Sequence, residues 1–182
     1  MLLQGPVFTL HMLEDIAIEL DLEEITSLDF TRWYEVPRHY GDNGYFSFFV
    51  LKEALRRHEF SMQSLHNPDV NYFHKNPALA RGYLFYDGMH WYCARRFGHT
   101  WFELDSTYGR PMKIQSRDMN TRIQFLLNKG GYVFIVRGEY RESVADRFYD
   151  PEHVIELTQS NESGTEQSSS SADTLNYTSD EL

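Results

Sequence analysis

Residues 89–107, reading M-H-W-Y-C-A-R-R-F-G-H-T-W-F-E-L-D-S-T, constrain the fold more than any other stretch. Two runs rich in aromatic and apolar residues, 90–96 and 99–105, flank Phe97-Gly98. That is the pattern of a β-hairpin with a short turn. With Phe97-Gly98 as the loop, Arg96 pairs with His99, Ala94 with Trp101, Tyr92 with Glu103 and His90 with Asp105. Directly opposed residues on one face have Cβ atoms about 5 Å apart. The expected result is an imidazole beside a carboxylate at the open end of the hairpin. Side chains alternate between faces along a strand. Trp91, Cys93, Phe102 and Leu104 therefore share the other face, which reads as core.

Everything else must supply a body for that hairpin. At 182 residues there is room for one domain and an appendage. Thirteen Phe, 12 Tyr and 3 Trp are enough for a substantial core. A single Cys rules out an internal disulfide framework and a Cys-based metal site, and fits a reducing compartment. No apolar run approaches a membrane span and no basic-then-apolar leader opens the chain, so no membrane partner is expected. The net charge of −10 argues against a nucleic-acid surface. Nine acids and one Arg fall in residues 143–182, a net of −8, which leaves −2 for the rest.

Taken in order, Met1-Leu2-Leu3 resembles the end of an apolar helix stopped by Gly5-Pro6. Thr9 is positioned to cap a helix running to about Asp21, with Leu10, Leu13, Ile16, Ala17 and Leu20 on its buried face. Residues 22–38 suggest a helical arm, and residues 41–44 a turn. Ser47 is placed to cap a second helix whose inner face is Phe48, Leu51, Ala54 and Leu55. Phe60, Met62 and Ser64 alternate as in a short strand, and residues 66–77 look like a loop. Residues 83–86 form a strand entering the hairpin through the turn Asp87-Gly88. This predicts a three-stranded meander over about 82–105. Ser116 is expected to cap a helix through Met119, Ile123, Leu126 and Leu127, ended by Gly130-Gly131. The apolar run 132–136 suits a central strand. Helices followed by an antiparallel sheet make an α+β domain over residues 1–148. Residues 149–182, acidic and Ser-rich, are expected to be a disordered tail.

A rim histidine is ordinarily a structural residue satisfied by a neighbour. The carboxylate predicted beside His90 makes a catalytic reading equally strong, because a His held by an acid is two-thirds of a nucleophilic triad. The nucleophile is missing. Cys93 lies an odd number of residues from His90 and so faces the opposite side of the sheet. Ser47 is accounted for as a helix cap, and neither it nor Ser106 sits in a G-x-S-x-G context. His11, His39, His58, His66, His74 and His99 are scattered without metal-ligand spacing and read as surface or loop residues. No metal site and no cofactor are expected.

The blocks L-L-Q-G, F-T-L-x-x-L-x-x-I-A-x-E-L-D, D-N-G-Y-F-S-F-F-V-L-x-x-A-L, H-W-Y-x-x-R-x-F-G-x-x-W-F-E-L-D-S and G-Y-x-V-F-I-V-R-G, in this order over about residues 2–147, resemble the Josephin family of cysteine deubiquitinases, ataxin-type branch. The resemblance implies a papain-like α+β fold and thiol-dependent hydrolysis at the ubiquitin C-terminus. It casts His90 as general base. It casts Asp105 as the orienter, a position usually held by Asn in that branch. An Asp there adds a charge that favours the imidazolium. It also implies ubiquitin or polyubiquitin as partner, contacts from Phe48 and Phe49 on the second helix, and residence in nucleus and cytoplasm. The family's nucleophile sits in a C-A-x-H-x-L-N-N-like run just ahead of L-L-Q, so the resemblance finds none in this chain and implies inactivity as given. A non-catalytic ubiquitin-binding form and an unrelated α+β interaction domain remain as alternatives.

Overall fold

A computed structural model describes residues 1–5, 7–27, 38–41 and 45–150. The expected turn at 42–44, most of the expected arm at 28–37, and the tail from 151 lie outside the described residues. The elements are α1 (Leu10–Ser27), α2 (Phe48–Arg57), β1 (Ser61–Ser64), β2 (Gly82–Tyr86), β3 (Trp91–Phe97), β4 (Thr100–Leu104), β5 (Met112–Ile114), α3 (Ser116–Asn128), β6 (Tyr132–Arg137) and α4 (Val144–Phe148). A 3₁₀ turn, Asn71–His74, lies within the stretch expected to be plain loop, and a second, Pro77–Leu79, begins at its last residue. The strands form one antiparallel sheet in the order β1-β6-β2-β3-β4-β5. The expected meander is its β2-β3-β4 portion, and the run expected to be a central strand is β6.

Both faces of this sheet are covered, and strand alternation decides which residue meets which layer. Tyr83, Phe85, Ala94, Trp101, Val133 and Ile135 face α3 through Met119, Ile123 and Leu126. Leu84, Cys93, Leu104, Phe134 and Val136 face Leu2, Phe48, Leu51, Leu55 and Tyr140. The helix α1 does not touch that second layer broadly. Its Leu13, Ile16, Ala17 and Leu20 pack on Val50 and Ala54 of α2. Four of the five residues expected on its buried face are there. Leu10 is not: it is the first helical residue and is 59% exposed.

The caps explain where two helices start. The Thr9 hydroxyl accepts from Met12 N (3.2 Å), and the Ser47 hydroxyl accepts from Val50 N (3.4 Å). The Ser116 expectation is corrected: Gln115 is the N-cap, and Ser116 instead directs its hydroxyl at the His99 carbonyl (3.5 Å). The helix expected at the front is also corrected. Residues 1–5 form a turn, with Gln4 N bonded to Met1 O (3.1 Å) and Gln4 at φ +56°. Leu2 is buried nonetheless and anchors the turn to the sheet.

What ties this front turn to the far end of the domain is Arg95, which is 0% exposed. Its guanidinium donates to Leu2 O (2.8 Å), Arg141 O (3.2 Å) and Asp146 Oδ2 (3.0 Å), and lies over the rings of Phe97 and Tyr140. Asp146 also completes a capping box with Ser143 at the start of α4. Three stretches distant in sequence therefore converge on one buried cation.

Candidate active site

The hairpin forms, in a register two residues away from the expected one. Phe97 pairs with Thr100, Arg96 with Trp101, Ala94 with Glu103 and Cys93 with Leu104. The loop is Gly98-His99. Gly98 has φ +51°, and a tight hairpin with a positive φ at its first loop position needs glycine there. With Phe97 in that position a bulky residue would have to adopt it. Gly98 is also approached by the Tyr149 carbonyl oxygen, which would lie 2.2 Å from any Cβ. A slip of two residues preserves parity. Every side chain keeps its expected face, and only the opposed pairs change.

His90 and Asp105 still meet. Extending the register puts Asp105 opposite Tyr92, so His90 reaches it diagonally, within the span of longer side chains. The contact is His90 Nε2 to Asp105 Oδ1 at 2.7 Å. Burial alone would raise the Asp105 carboxyl. The N–H and hydroxyl of Thr107 and the His90 ring outweigh burial and hold it below its ordinary value. Asp105 is therefore ionised near neutrality, and it fixes the proton of a neutral imidazole on Nε2. The lone pair is left on Nδ1, to which no other described residue is hydrogen-bonded. The His90 side chain as a whole is 29% exposed.

Two further features orient the ring. Asp87 Oδ1 accepts from Met89 N (3.0 Å) and His90 N (2.8 Å), which shapes the turn that delivers His90. The imidazole lies parallel to the Tyr92 ring (6.1 Å, 14°), which in turn stacks on Phe85 (5.0 Å, 14°). Asp87-Gly88 announces itself as a turn in the sequence. Tyr92 and Thr107 were not singled out by sequence reasoning. Tyr92 is legible as the i+2 neighbour of His90 on one strand face. Thr107 is legible as a hydroxyl two residues beyond an aspartate.

Cys93 lies on the opposite face, as parity requires. It is 2% exposed and its Sγ points at Leu104 O (3.5 Å). Burial pushes its thiol up to about 12. A thiol in that state is not a nucleophile. Iodoacetamide at neutral pH should leave Cys93 unmodified in the folded chain and label it fully in denaturant, as mass spectrometry would read. Rapid native labelling would contradict this placement.

The other singled-out residues sort differently. Phe49 is 53% exposed, with its ring edge-on to Phe48 and His39. Phe48 is partly buried and stacks on Phe134 (4.8 Å), so Phe49 offers the more accessible ring. His39 is buried, against the surface or loop position expected of it. Its ring bonds Ser47 Oγ (2.7 Å) and Glu24 Oε1 (3.2 Å), and its N–H bonds Asp21 Oδ1 (2.9 Å). The chain Glu24, His39, Ser47 has the connectivity of a hydrolytic relay, but the Ser47 hydroxyl is committed to capping α2. Its effect is to anchor the end of α1 to the start of α2. Ser106 lies in the exposed turn beyond Asp105. Among the described residues no group of three or more His, Cys, Asp or Glu could hold a metal ion, and no helix is long and apolar enough to cross a membrane.

Comparison with known proteins places this geometry in context. The model of the Josephin family matches residues 1–137. The Ataxin-3 homolog of Caenorhabditis briggsae is 31% identical over 150 residues, covering 81% of this chain and 47% of its own length. The Caenorhabditis elegans homolog is 30% identical over 149 residues (80% and 46%), and human Ataxin-3 is 28% identical over 155 residues (80% and 43%). The chain spans about half the length of the curated relatives it matches.

Proposed function

The chain belongs to the Josephin family of cysteine deubiquitinases, and on that premise we propose that it carries the base and the orienting acid of a thiol-dependent ubiquitin hydrolase. The observation that carries the reading is the 2.7 Å bond from His90 Nε2 to Asp105, made by a His90 side chain that is 29% exposed. In this reading Nδ1 takes the proton of an attacking thiol, and Asp105 steadies the imidazolium that results. The imidazolium then returns the proton to the leaving amine of the (iso)peptide bond. Water completes the cycle by hydrolysing the thioester, with His90 again as base.

The attacking thiol is not Cys93, which is buried on the wrong face and is the one cysteine of the 182 residues. This polypeptide is accordingly expected to bind its substrate class without turning it over. A purely ubiquitin-binding role is the second reading, favoured by the exposed Phe49 ring on α2. Titrating the isotope-labelled chain with ubiquitin tests the premise shared by both. Amide shifts around Phe49 and His90 are expected. Their absence at millimolar ubiquitin would count against both readings.

A further inference from the structure

Three donors converge on one oxygen of Asp105. His90 Nε2 (2.7 Å), Thr107 N (2.8 Å) and Thr107 Oγ1 (2.8 Å) all bond Oδ1. Among the described residues, nothing bonds Oδ2. We propose that Thr107 is a positioning residue of the site, whose hydroxyl selects the Asp105 oxygen that faces His90. This rests on the reading of His90 and Asp105 as a functional pair, and gives Thr107, described above only as a donor to Asp105, a role in positioning that pair.

The argument starts from the symmetry of a carboxylate. Its two oxygens are chemically equivalent, and together they offer about four acceptor sites. The terminal torsion of Asp is broad and roughly two-fold, so rotation exchanges the oxygens at little cost. An aspartate left to itself can offer His90 either oxygen, in a range of planes. It can also turn away toward water. The imidazole then has no single partner direction, and Nδ1 has no single direction either. Two donors from one residue remove that freedom. The Thr107 N–H is the bond an ordinary Asx turn would supply. The hydroxyl bond is additional, falls on the same oxygen, and fixes the plane of the carboxylate. Thr107 is exposed and its hydroxyl has no other partner among the described residues, so core packing does not explain it. The donors also draw charge from Oδ1, which moderates the full negative charge beside the ring.

The test uses the 182-residue chain itself. Long-range ¹H–¹⁵N spectra of the imidazoles report which His90 nitrogen carries the proton, and ¹³C spectra report Asp105 ionisation. In the native chain at alkaline pH, a single Nε2–H tautomer is expected. Thr107→Val keeps the N–H bond and the shape but removes the hydroxyl. It should give a mixture of tautomers and raise the Asp105 midpoint by about one pH unit, tenfold in proton affinity. Thr107→Ser should restore both. Spectra of Thr107→Val that match the native chain would overturn the proposal, and so would a serine variant that behaves like valine. Asp105→Ala separates the two levels. If Asp105→Ala leaves the tautomer unchanged, the pairing of His90 and Asp105 fails as a functional reading. If only Asp105→Ala moves it, the pairing stands and the role of Thr107 fails.

Discussion

Replacing Asp146 with alanine should lower the unfolding free energy by about 3–5 kcal/mol, because it strands a buried cation. Arg95 is fully enclosed and donates to Asp146 Oδ2, while Arg81 donates to Oδ1 (2.8 Å) and Ser143 donates its N–H and hydroxyl to Oδ2. Burial already pulls the Arg95 guanidinium below its ordinary value, and the Asp146 charge is the first influence opposing that pull. A typical domain has roughly 5–15 kcal/mol in total. The melting temperature should fall on the order of 10 °C, as calorimetry would read. Asp146→Asn, which keeps the acceptor oxygen, should lose less. The same group sets a pH dependence. Burial tends to raise the Asp146 carboxyl, but the Ser143 donors and the charges of Arg95 and Arg81 outweigh it, leaving it below its ordinary 3.8. A depressed folded-state value stabilises fully above the unfolded-state value and is lost as pH falls through the folded one. Urea melts should therefore weaken below about pH 4, and less steeply in Asp146→Asn. An alanine variant within about 1 kcal/mol of the parent would show the network to be no more than a surface ion pair.

Gly98→Ala should be nearly as damaging. The residue sits at φ +51°, where an L side chain costs about 1–2 kcal/mol. The added Cβ would fall 2.2 Å from Tyr149 O and 2.4 Å from its carbonyl carbon, both backbone atoms. Shifting them adds an overpacking cost of about 1–3 kcal/mol. The sum is about 3 kcal/mol in a chemical melt. The His90 and Asp105 signals should survive the substitution, since the damage lies at the closed end of the hairpin. A neutral Gly98→Ala would contradict the register and the close approach together.

These two sites also mark where sequence reasoning stopped. The faces of β3 and β4 were legible because parity survives a two-residue slip, and so were the pairing of His90 with Asp105 and the exclusion of Cys93. The register itself was not, because it turns on which loop residue takes the positive φ and on a carbonyl 51 residues away. Arg95 gave no signal. It lies on a core face, where a charge is not expected, and its acidic partner is also 51 residues distant. His39 looked like a surface residue because Asp21, Glu24 and Ser47, which satisfy it, lie 18, 15 and 8 residues away in sequence. The Ser47 cap of α2 and its face of Phe48, Leu51, Ala54 and Leu55 were legible as local features, but Val50, fully buried against α1, was not, because α1 covers a second side of that helix. The helix end expected at Met1-Leu2-Leu3 failed because so short an apolar run fits equally well a turn that buries Leu2. β5 is three residues long, too short for any periodic pattern.

The central claim is that His90 and Asp105 are the base-and-orienter half of a cysteine hydrolase site. The most direct measurement is hydrolysis of a fluorogenic ubiquitin C-terminal substrate in two proteins. The 182-residue chain should give no turnover. The same chain fused behind a family-type C-A-x-H-x-L-N-N helix ahead of Leu2 should turn over, and His90→Ala in that fusion should lower kcat by about 10²–10⁴-fold. Turnover by the 182-residue chain that persists in His90→Ala, or a fusion whose activity is indifferent to His90, would contradict the account.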